Sequence, residues 1–420
     1  MNYIDLFAGA GGLSEGFIQA GFTPIAHVEM DAGACYSLRT RVAYHYLRNR
    51  GKYDLYIAYL KGDIDRQELY RSIPTELLAS VINLPIGEEN NESIYRAIES
   101  QPGNKEVDVI IGGPPCQAYS IAGRGRSETS MKNDPRNYLY IQYCKYLEKY
   151  QPKLFVFENV IGLKSAGNGI HLQNMQKLFK SNGYSIELFT VDAYNFGVLQ
   201  SRKRLIIIGW KDDFIPNLPD LEAIHIQNEF SVQDVLNDLP FLQTGEGVNK
   251  YMQYRTNGNA YLESRSIRNE INVLTQHVAR PHTEQHKAIY RIAVEKWNAG
   301  RERLNYNDLP DHLKTHSSRD IFRDRFKVVA ADLPYSHTVV AHIAKEGNYY
   351  IHPDIQQNRS ITIREAARLQ SFPDDYYFEG VKSKGNWTTP FKQIGNAVPP
   401  LMARGIAEGV RKCMKNFEDL

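Results

Sequence analysis

The first apolar run, YIDLFA at residues 3–8, reads as a short buried strand that leads directly into GAGG. The next stretch, LSEGFIQA, places apolar residues at Leu13, Phe17, Ile18 and Ala20, the spacing of one helical face, and Gly21 stops it. PIAHVEMD (24–31) predicts a second strand ending in acids, Val107 to Ile111 a third, and LFVFENV (154–160) a fourth. IELFTVDA and RLIIIGW (204–210) add further strands. Strands alternating with helical segments predict βαβ units and a mostly parallel sheet. Near-continuous apolar runs suit strands covered on both faces.

After about residue 215 the pattern changes to polar loops and helical pieces such as Glu284 to Asn298. REAARLQSF (364–372) predicts a helix before Pro373. In the final LMARGIAEGVRKCM, Leu401, Gly405 or Ile406, Val410 and Cys413 or Met414 share one helical face, expected to pack back on the sheet. Residues 32–61 and 65–105 read as helical material inserted at the rim, with no job assigned.

Composition narrows the class. A chain of 420 residues has room for two or three domains, and 42% hydrophobic with 23% charged residues is ordinary for a soluble globular protein. The start MNYIDLFAGAGG lacks a basic-then-apolar pattern, so no signal peptide is expected. No apolar run reaches about 18 residues, so no membrane span is expected. Cys35, Cys116, Cys144 and Cys413 are scattered, without zinc spacing or a disulfide framework, which leads us to expect no metal and a reducing cytoplasm.

The net charge of +2 conceals an asymmetry. From Gly245 to Ala330 there are fifteen Lys or Arg against ten Asp or Glu, a local +5 that leaves −3 elsewhere. Five of the twelve histidines lie there too. Such a stretch is either a solvated, salt-bridged surface or one that faces phosphates.

Several short stretches carry chemistry. In DLFAGAGG, a strand passing through Gly9, Gly11 and Gly12 into a helix lets a ligand approach the backbone closely. Ser14 breaks the dinucleotide pattern G-x-G-x-x-G, which argues against a nicotinamide enzyme. Glu29, at the next strand end, can accept hydrogen bonds from a ribose, and a tight turn without a ligand is the plain alternative.

In IIGGPPCQAYS (110–120), Pro114 and Pro115 stiffen the stem that presents Cys116 beyond a strand end, which favours a nucleophile over a packed thiol. The AYSIAGRGRS that follows reads as a mobile basic loop. Glu158 ends an apolar strand at the same edge, desolvated enough to donate a proton, or else salt-bridged there. Gln200, Arg202 and Arg204 alternate before a strand and project to one side, for phosphate or carbonyl recognition or as a solvated strand start. Asn396, in QIGNAVPP, precedes a helix marked by Pro399 and Pro400, as an N-cap or as part of a ligand site.

The order DLFAGAGG, GGPPCQAYS, FENV, QSRKR, REAARLQSFP and QIGNAVPP closely resembles the cytosine-5 DNA methyltransferases, and the later part is similar to bacterial restriction-modification members. The resemblance covers most of 1–215 and 335–420. It implies an α/β, Rossmann-like S-adenosylmethionine-dependent methyltransferase fold, a mostly parallel sheet with helices on both faces, plus a smaller target-recognition domain. The implied division is a catalytic and cofactor-binding domain at 1–215, the recognition region at 216–385, and 386–420 returning to the catalytic domain.

It implies Cys116 as nucleophile, Glu158 at cytosine N3, and Arg202 and Arg204 on the flipped nucleotide. S-adenosyl-L-methionine would be held by Phe7, Gly9, Gly11, Gly12, Glu29, Met30, Asp63, Ile64, Pro114 and Asn396, and DNA by Gln117, Ser120, Arg124, Arg126 and Gln200. Tyr119 stands where Phe is usual, and Met30 where an aromatic is common. Double-stranded DNA is the implied partner of a monomer, with a cognate restriction endonuclease acting on the same site. A tRNA-directed member or a catalytically silent DNA-binding relative are the alternatives. About 150 residues between QSRKR and REAARLQ favour DNA, and intact Cys116, Glu158 and Arg202 favour an active enzyme.

Overall fold

The computed structural model describes residues 1–103, 105–115, 138–213, 217–227, 229–317, 319–381 and 387–415. A seven-stranded sheet organises the first half: β1 (Asn2–Leu6), β2 (Thr23–Val28), β3 (Val81–Ile82), β4 (Val109–Gly112), β5 (Leu154–Val160), β6 (Tyr184–Asp192) and β7 (Lys203–Lys211). Their spatial order is β3-β2-β1-β4-β5-β7-β6. Strands β3 to β5 pair in parallel, and β7 lies antiparallel between β5 and β6. The order reverses between β1 and β4, so a crevice opens at their carboxyl ends, where open α/β sheets receive ligands.

Helices cover both faces because strand side chains alternate. Between β1 and β3 run α1 (Gly12–Gln19), α2 (Ala32–Asn49), α3 (Tyr53–Lys61), α4 (Arg66–Arg71) and α5 (Thr75–Ala79). Next come α6 (Glu88–Glu99), α7 (Leu139–Tyr150) and α8 (Ile170–Ser181). After β7 follow β8 (Gly247–Val248), α9 (Ala260–Ser264), β9 (His277–Val278), α10 (Glu284–Gly300), α11 (Arg319–Phe322), α12 (Ile363–Leu369), α13 (Thr388–Asn396) and α14 (Pro400–Lys415).

Tyr3, Val109, Ile111, Val156 and Ile206 point to one face and bury Phe17 of α1 with Leu401, Ile406, Val410 and Cys413 of α14. The final helix therefore returns to the sheet, on the face its apolar spacing predicts. Ile4, Leu6, Ile110, Phe155, Phe157 and Ile207 point the other way, against Ile94 and Ile98 of α6, Tyr143 of α7 and Phe179 of α8.

The strands expected from sequence all form, with small shifts at their ends. PIAHVEMD stops as a strand at Val28 because Asp31 caps α2, accepting from the N–H groups of Gly33 at 2.9 Å and Ala34 at 3.1 Å. The reading of 32–61 and 65–105 as rim insertions needs correction. Cys35 and Leu38 of α2 pack with Ala8 and Val81, β3 is an edge strand of the sheet, and Ile94 and Ile98 of α6 pack on one sheet face. Two residues of strand are too few for an alternation to register, so β3 was invisible in the sequence. Helices α3 to α5 stand apart: they pack on Tyr44 and Leu47 of α2 and on Ile271, Val273 and Tyr377 from beyond β7.

Leu199, Val232, Tyr261 and Val339 share one apolar cluster with Ile363, Phe372 and Phe378, with Phe391 and Ile394 of α13, and with Ala10 of the first loop. Charge reinforces this junction. Thr362 and Glu365 form a capping box at the start of α12. Arg368, fully buried, donates to Asp238 at 2.5 Å and to Asp374 at 2.6 Å.

Candidate active site

The carboxyl edge of β1 and β2 forms the first wall. Phe7 takes φ 57°, a left-handed conformation unusual for a side-chain-bearing residue, and Gly9 and Gly11 follow at φ 55° and 79°. A Cβ on Gly12 would lie 2.2 Å from the carbonyl oxygen of Val398, so this loop is pressed against the segment after α13. The Gly9 N–H donates to Glu29 Oε2 at 2.8 Å, and the Asp31 N–H to Glu29 Oε1 at 2.7 Å. Burial pushes the Glu29 carboxyl pKa up, while these donors pull it back.

Asp5 is buried in β1, its Oδ2 without a partner among the described residues, and burial holds its carboxyl well above the usual range. Met30, by contrast, is 67% exposed at the rim.

Asp63 and Ile64, expected beside Glu29, are elsewhere. Asp63 is exposed after α3, whose helix ends at Gly62 with φ 88°, and Ile64 packs into the α2–α4 cluster. The residue at the β3 end is Asn83, whose Nδ2 donates to the carbonyls of Glu29 at 3.1 Å and Met30 at 3.0 Å. Two strand residues, Val81 and Ile82, precede it, too few to mark this strand end in the sequence.

The second wall is the edge of β4 and β5. Gly112 and Gly113 let neighbours close in: a Cβ on Gly112 would lie 2.5 Å from Leu6 O, and one on Gly113 2.7 Å from Glu158 Oε2. Asn159 Nδ2 donates to Pro114 O at 3.4 Å. Glu158 therefore sits over the stem that leads to Cys116. Cys116 itself, with Gln117, Ser120, Arg124 and Arg126, lies outside the described residues. Arg204 Nε meets Glu158 Oε1 at 2.6 Å, both side chains mostly buried.

Gln200 and Arg202 do not join that pair. Gln200 is fully buried, its Nε2 donating to Leu369 O at 2.9 Å and Gln370 Oε1 at 3.0 Å, its Oε1 accepting from the Val339 N–H at 2.8 Å. The expectation that it touches DNA is therefore corrected: its polar atoms are engaged inside the protein.

Arg202, 1% exposed, donates through Nη1 to Val339 O at 2.7 Å and through Nη2 to Gly395 O at 3.1 Å. Burial first, and then the like charge of Arg204, press its pKa down. Asn396 ends α13 and is exposed; α14 begins at Pro400, as the two prolines foretold, but Asn396 is not its N-cap.

Comparison with known proteins places this arrangement. The model of the family described as C-5 cytosine-specific DNA methylase matches residues 1–56 and 79–412, leaving out a stretch that falls within α3 to α5. A type II methyltransferase of Bacillus paralicheniformis is 39% identical, over 98% of this chain and 98% of its own length. One from Haemophilus parahaemolyticus is 31% identical, over 99% of this chain and 88% of its own length. Among solved structures, a putative DNA modification methyltransferase from an Escherichia coli prophage shares the fold, with a TM-score of 0.62 at 22% identity, covering 99% of both chains. The chain belongs to the C-5 cytosine-specific DNA methylase family.

Proposed function

We propose that this DNA cytosine-5 methyltransferase works through a covalent adduct between Cys116 and C6 of a cytosine drawn out of the duplex, using S-adenosylmethionine. The observation that carries the reading is the Glu158–Arg204 pair held over Gly113, three residues before Cys116, at the carboxyl edge beside the Glu29 loop.

The residues at the first wall fit the cofactor. An adenosine ribose needs a carboxylate acceptor, and Glu29 is fixed there by two backbone donors. A cationic sulfonium and ammonium suit an edge where Asp5 keeps a buried carboxyl oxygen without a partner among the described residues, and a neighbouring cation would favour its charged form against burial. Phe7, Gly9, Gly11 and Gly12 would line the backbone side, Pro114 the facing strand end, Met30 the adenine, and Asn396 the methionine end. Asn83 takes the place first assigned to Asp63. When bound, S-adenosylmethionine supplies a methyl group made electrophilic by its sulfonium.

The protein's part is to make C5 nucleophilic. Addition of the Cys116 thiolate to C6 breaks the C5–C6 double bond and sends an electron pair toward N3. Glu158 stabilises protonation at N3, and Arg204 orients the Glu158 carboxyl. After methylation the C5 proton passes to solvent water as base, the C5–C6 double bond re-forms as the thiolate departs, and N3 returns its proton to Glu158, which restores the ring. Splitting one difficult substitution into addition and elimination is what covalent catalysis provides. Extrusion of the base costs a few kcal/mol, offset by contacts in the pocket.

The basic region around residues 216–335 would read the bases, while Gln117, Ser120, Arg124 and Arg126 would close on the DNA. The similarity to type II methyltransferases supports a restriction-modification setting, with an endonuclease acting on the same sequence, a monomeric enzyme and a cytoplasmic location. Among the described residues no helix is long and apolar enough to cross a membrane.

The test is a duplex with 5-fluorocytosine at the target position, where the fluorine cannot leave and the adduct persists. A covalent protein–DNA band is expected with the wild type and none with Cys116→Ala. An adduct formed by Cys116→Ala would sink the nucleophile assignment.

A further inference from the structure

At the end of α13 the Ala397 N–H donates to Gln393 O at 3.1 Å and Ile394 O at 3.2 Å, which leaves the Gly395 carbonyl and the second lone pair of Ile394 O beyond the reach of the helix's own N–H groups. Side chains from elsewhere take this task. Gln370 Nε2 donates to Ile394 O at 2.6 Å and Ala397 O at 3.4 Å, and Arg202 Nη2 donates to Gly395 O at 3.1 Å. Asn396 stands among these carbonyls, exposed while residues 393–395 and 397–400 are buried.

Both donors are themselves fixed. Arg202 is tied to Val339 O, and Gln370 accepts from Gln200, which also holds the Val339 N–H. Ser371 Oγ accepts from the Leu401 N–H at 3.1 Å, anchoring the start of α14. Gly395 cannot carry a side chain, since its Cβ would lie 2.3 Å from the Ala341 nitrogen. The backbone on both sides of Asn396 is thus held, while the Asn396 side chain faces outward.

We propose that Arg202 and Gln370 are positioning residues that cap α13 and so present Asn396 to S-adenosylmethionine, and that Arg202 acts through this helix end and not on the flipped nucleotide. The inference rests on the S-adenosylmethionine reading given above, and it revises the role that the family resemblance implied for Arg202. An arginine that contacts a nucleotide needs donors facing the cleft, whereas this guanidinium is 1% exposed, its Nη1 and Nη2 atoms donate to main-chain oxygens, and its buried Nε is the one donor nitrogen left without a partner among the described residues. Loss of the cap frees the Asn396 backbone, so cofactor affinity suffers directly.

The full-length chain is tested by calorimetric titration with S-adenosylhomocysteine, without DNA. The proteins compared are the wild type, Arg202→Lys, Gln370→Leu, Asn396→Ala and the Arg202→Lys/Asn396→Ala double variant. Arg202→Lys and Gln370→Leu should each weaken binding about tenfold, the size expected for one or two lost hydrogen bonds. The double variant should bind no more weakly than Asn396→Ala alone, because the cap acts through Asn396.

Arg202→Lys keeps charge and most of the length, and a melting curve with each protein establishes the folded fraction. Unchanged affinity in Arg202→Lys, with methylation of plasmid DNA reduced, overturns the proposal in favour of a nucleotide contact. Additive losses in the double variant overturn it too. If the wild type itself fails to bind S-adenosylhomocysteine, the cofactor assignment falls first, an outcome distinct from either of these.

Discussion

Arg204 reaches across the antiparallel pair β5–β7 to place its Nε 2.6 Å from Glu158 Oε1. In the register Arg204 lies opposite Val160 and Glu158 opposite Ile206, so the two are diagonal neighbours on one face of the sheet. The sheet thereby fixes the carboxyl. Positioning of this kind is what proton transfer to a ring nitrogen requires.

Glu158→Gln should keep the fold, because a neutral amide can still accept from Arg204, but lose the ionisable group. Turnover at saturating DNA is expected to fall about 10²–10⁴-fold, the range for one general acid–base group. Methyl incorporation into plasmid DNA measures it. A loss below threefold would assign Glu158 to structure alone.

Gly12→Ala should be more damaging than its size suggests. The added Cβ would meet the Val398 carbonyl oxygen at 2.2 Å, and neither backbone can yield without moving the Glu29 loop or the segment after α13. Overpacking costs about 1–3 kcal/mol. The expected outcome is a lower melting temperature with weaker S-adenosylhomocysteine binding in the protein that remains folded. Wild-type values for both would contradict the close packing.

The sheet was legible because its strands are long apolar runs; LFVFENV became β5 residue for residue. What escaped notice was short or depended on distance. β3 has two residues, and without it Asn83 had no strand end to sit on, so Asp63 took its place. Glu158 and Arg204 were found as separate candidates, since 46 positions along the chain hide a contact set by strand order. The alternation of Gln200, Arg202 and Arg204 did not say what each side chain would meet: Arg204 meets Glu158, in β5. For the other two it was the α12–α13 junction. The job of α3 to α5 was equally invisible. Their partners Ile271, Val273 and Tyr377 lie some 200 to 300 residues further along the chain.

Arg368 makes the same junction testable. It is fully buried between Asp238 and Asp374, and these carboxylates keep its guanidinium charged against the cost of burial. Removing one member of a buried ion cluster leaves uncompensated charge and costs about 3–5 kcal/mol. Arg368→Ala should therefore melt well below the wild type and be enriched in insoluble expression. A change of only a degree or two would mean that water reaches the site and restores the balance.

Acid should weaken the fold earlier than its carboxylates alone would suggest. Burial lowers the pKa of His27, His277, His282 and His337 from 6.5 to about 4, and that of His352 to about 3. The unfolded chain binds protons at these positions near pH 6.5, while the folded one does not. Stability is then complete above 6.5 and declines as the pH falls from 6.5 toward 4, each histidine contributing up to about 1.4 kcal/mol per pH unit. Glu15, Glu365 and Asp374, held low by Arg41, Arg359 and Arg368 against the upward push of burial, lose their contribution only at more acidic pH. Melting temperatures at pH 7.5, 6.0 and 5.0 should therefore fall progressively, with the steepest loss below 6.5. A flat profile down to pH 5 would mean that these histidines are open to protonation in the folded protein.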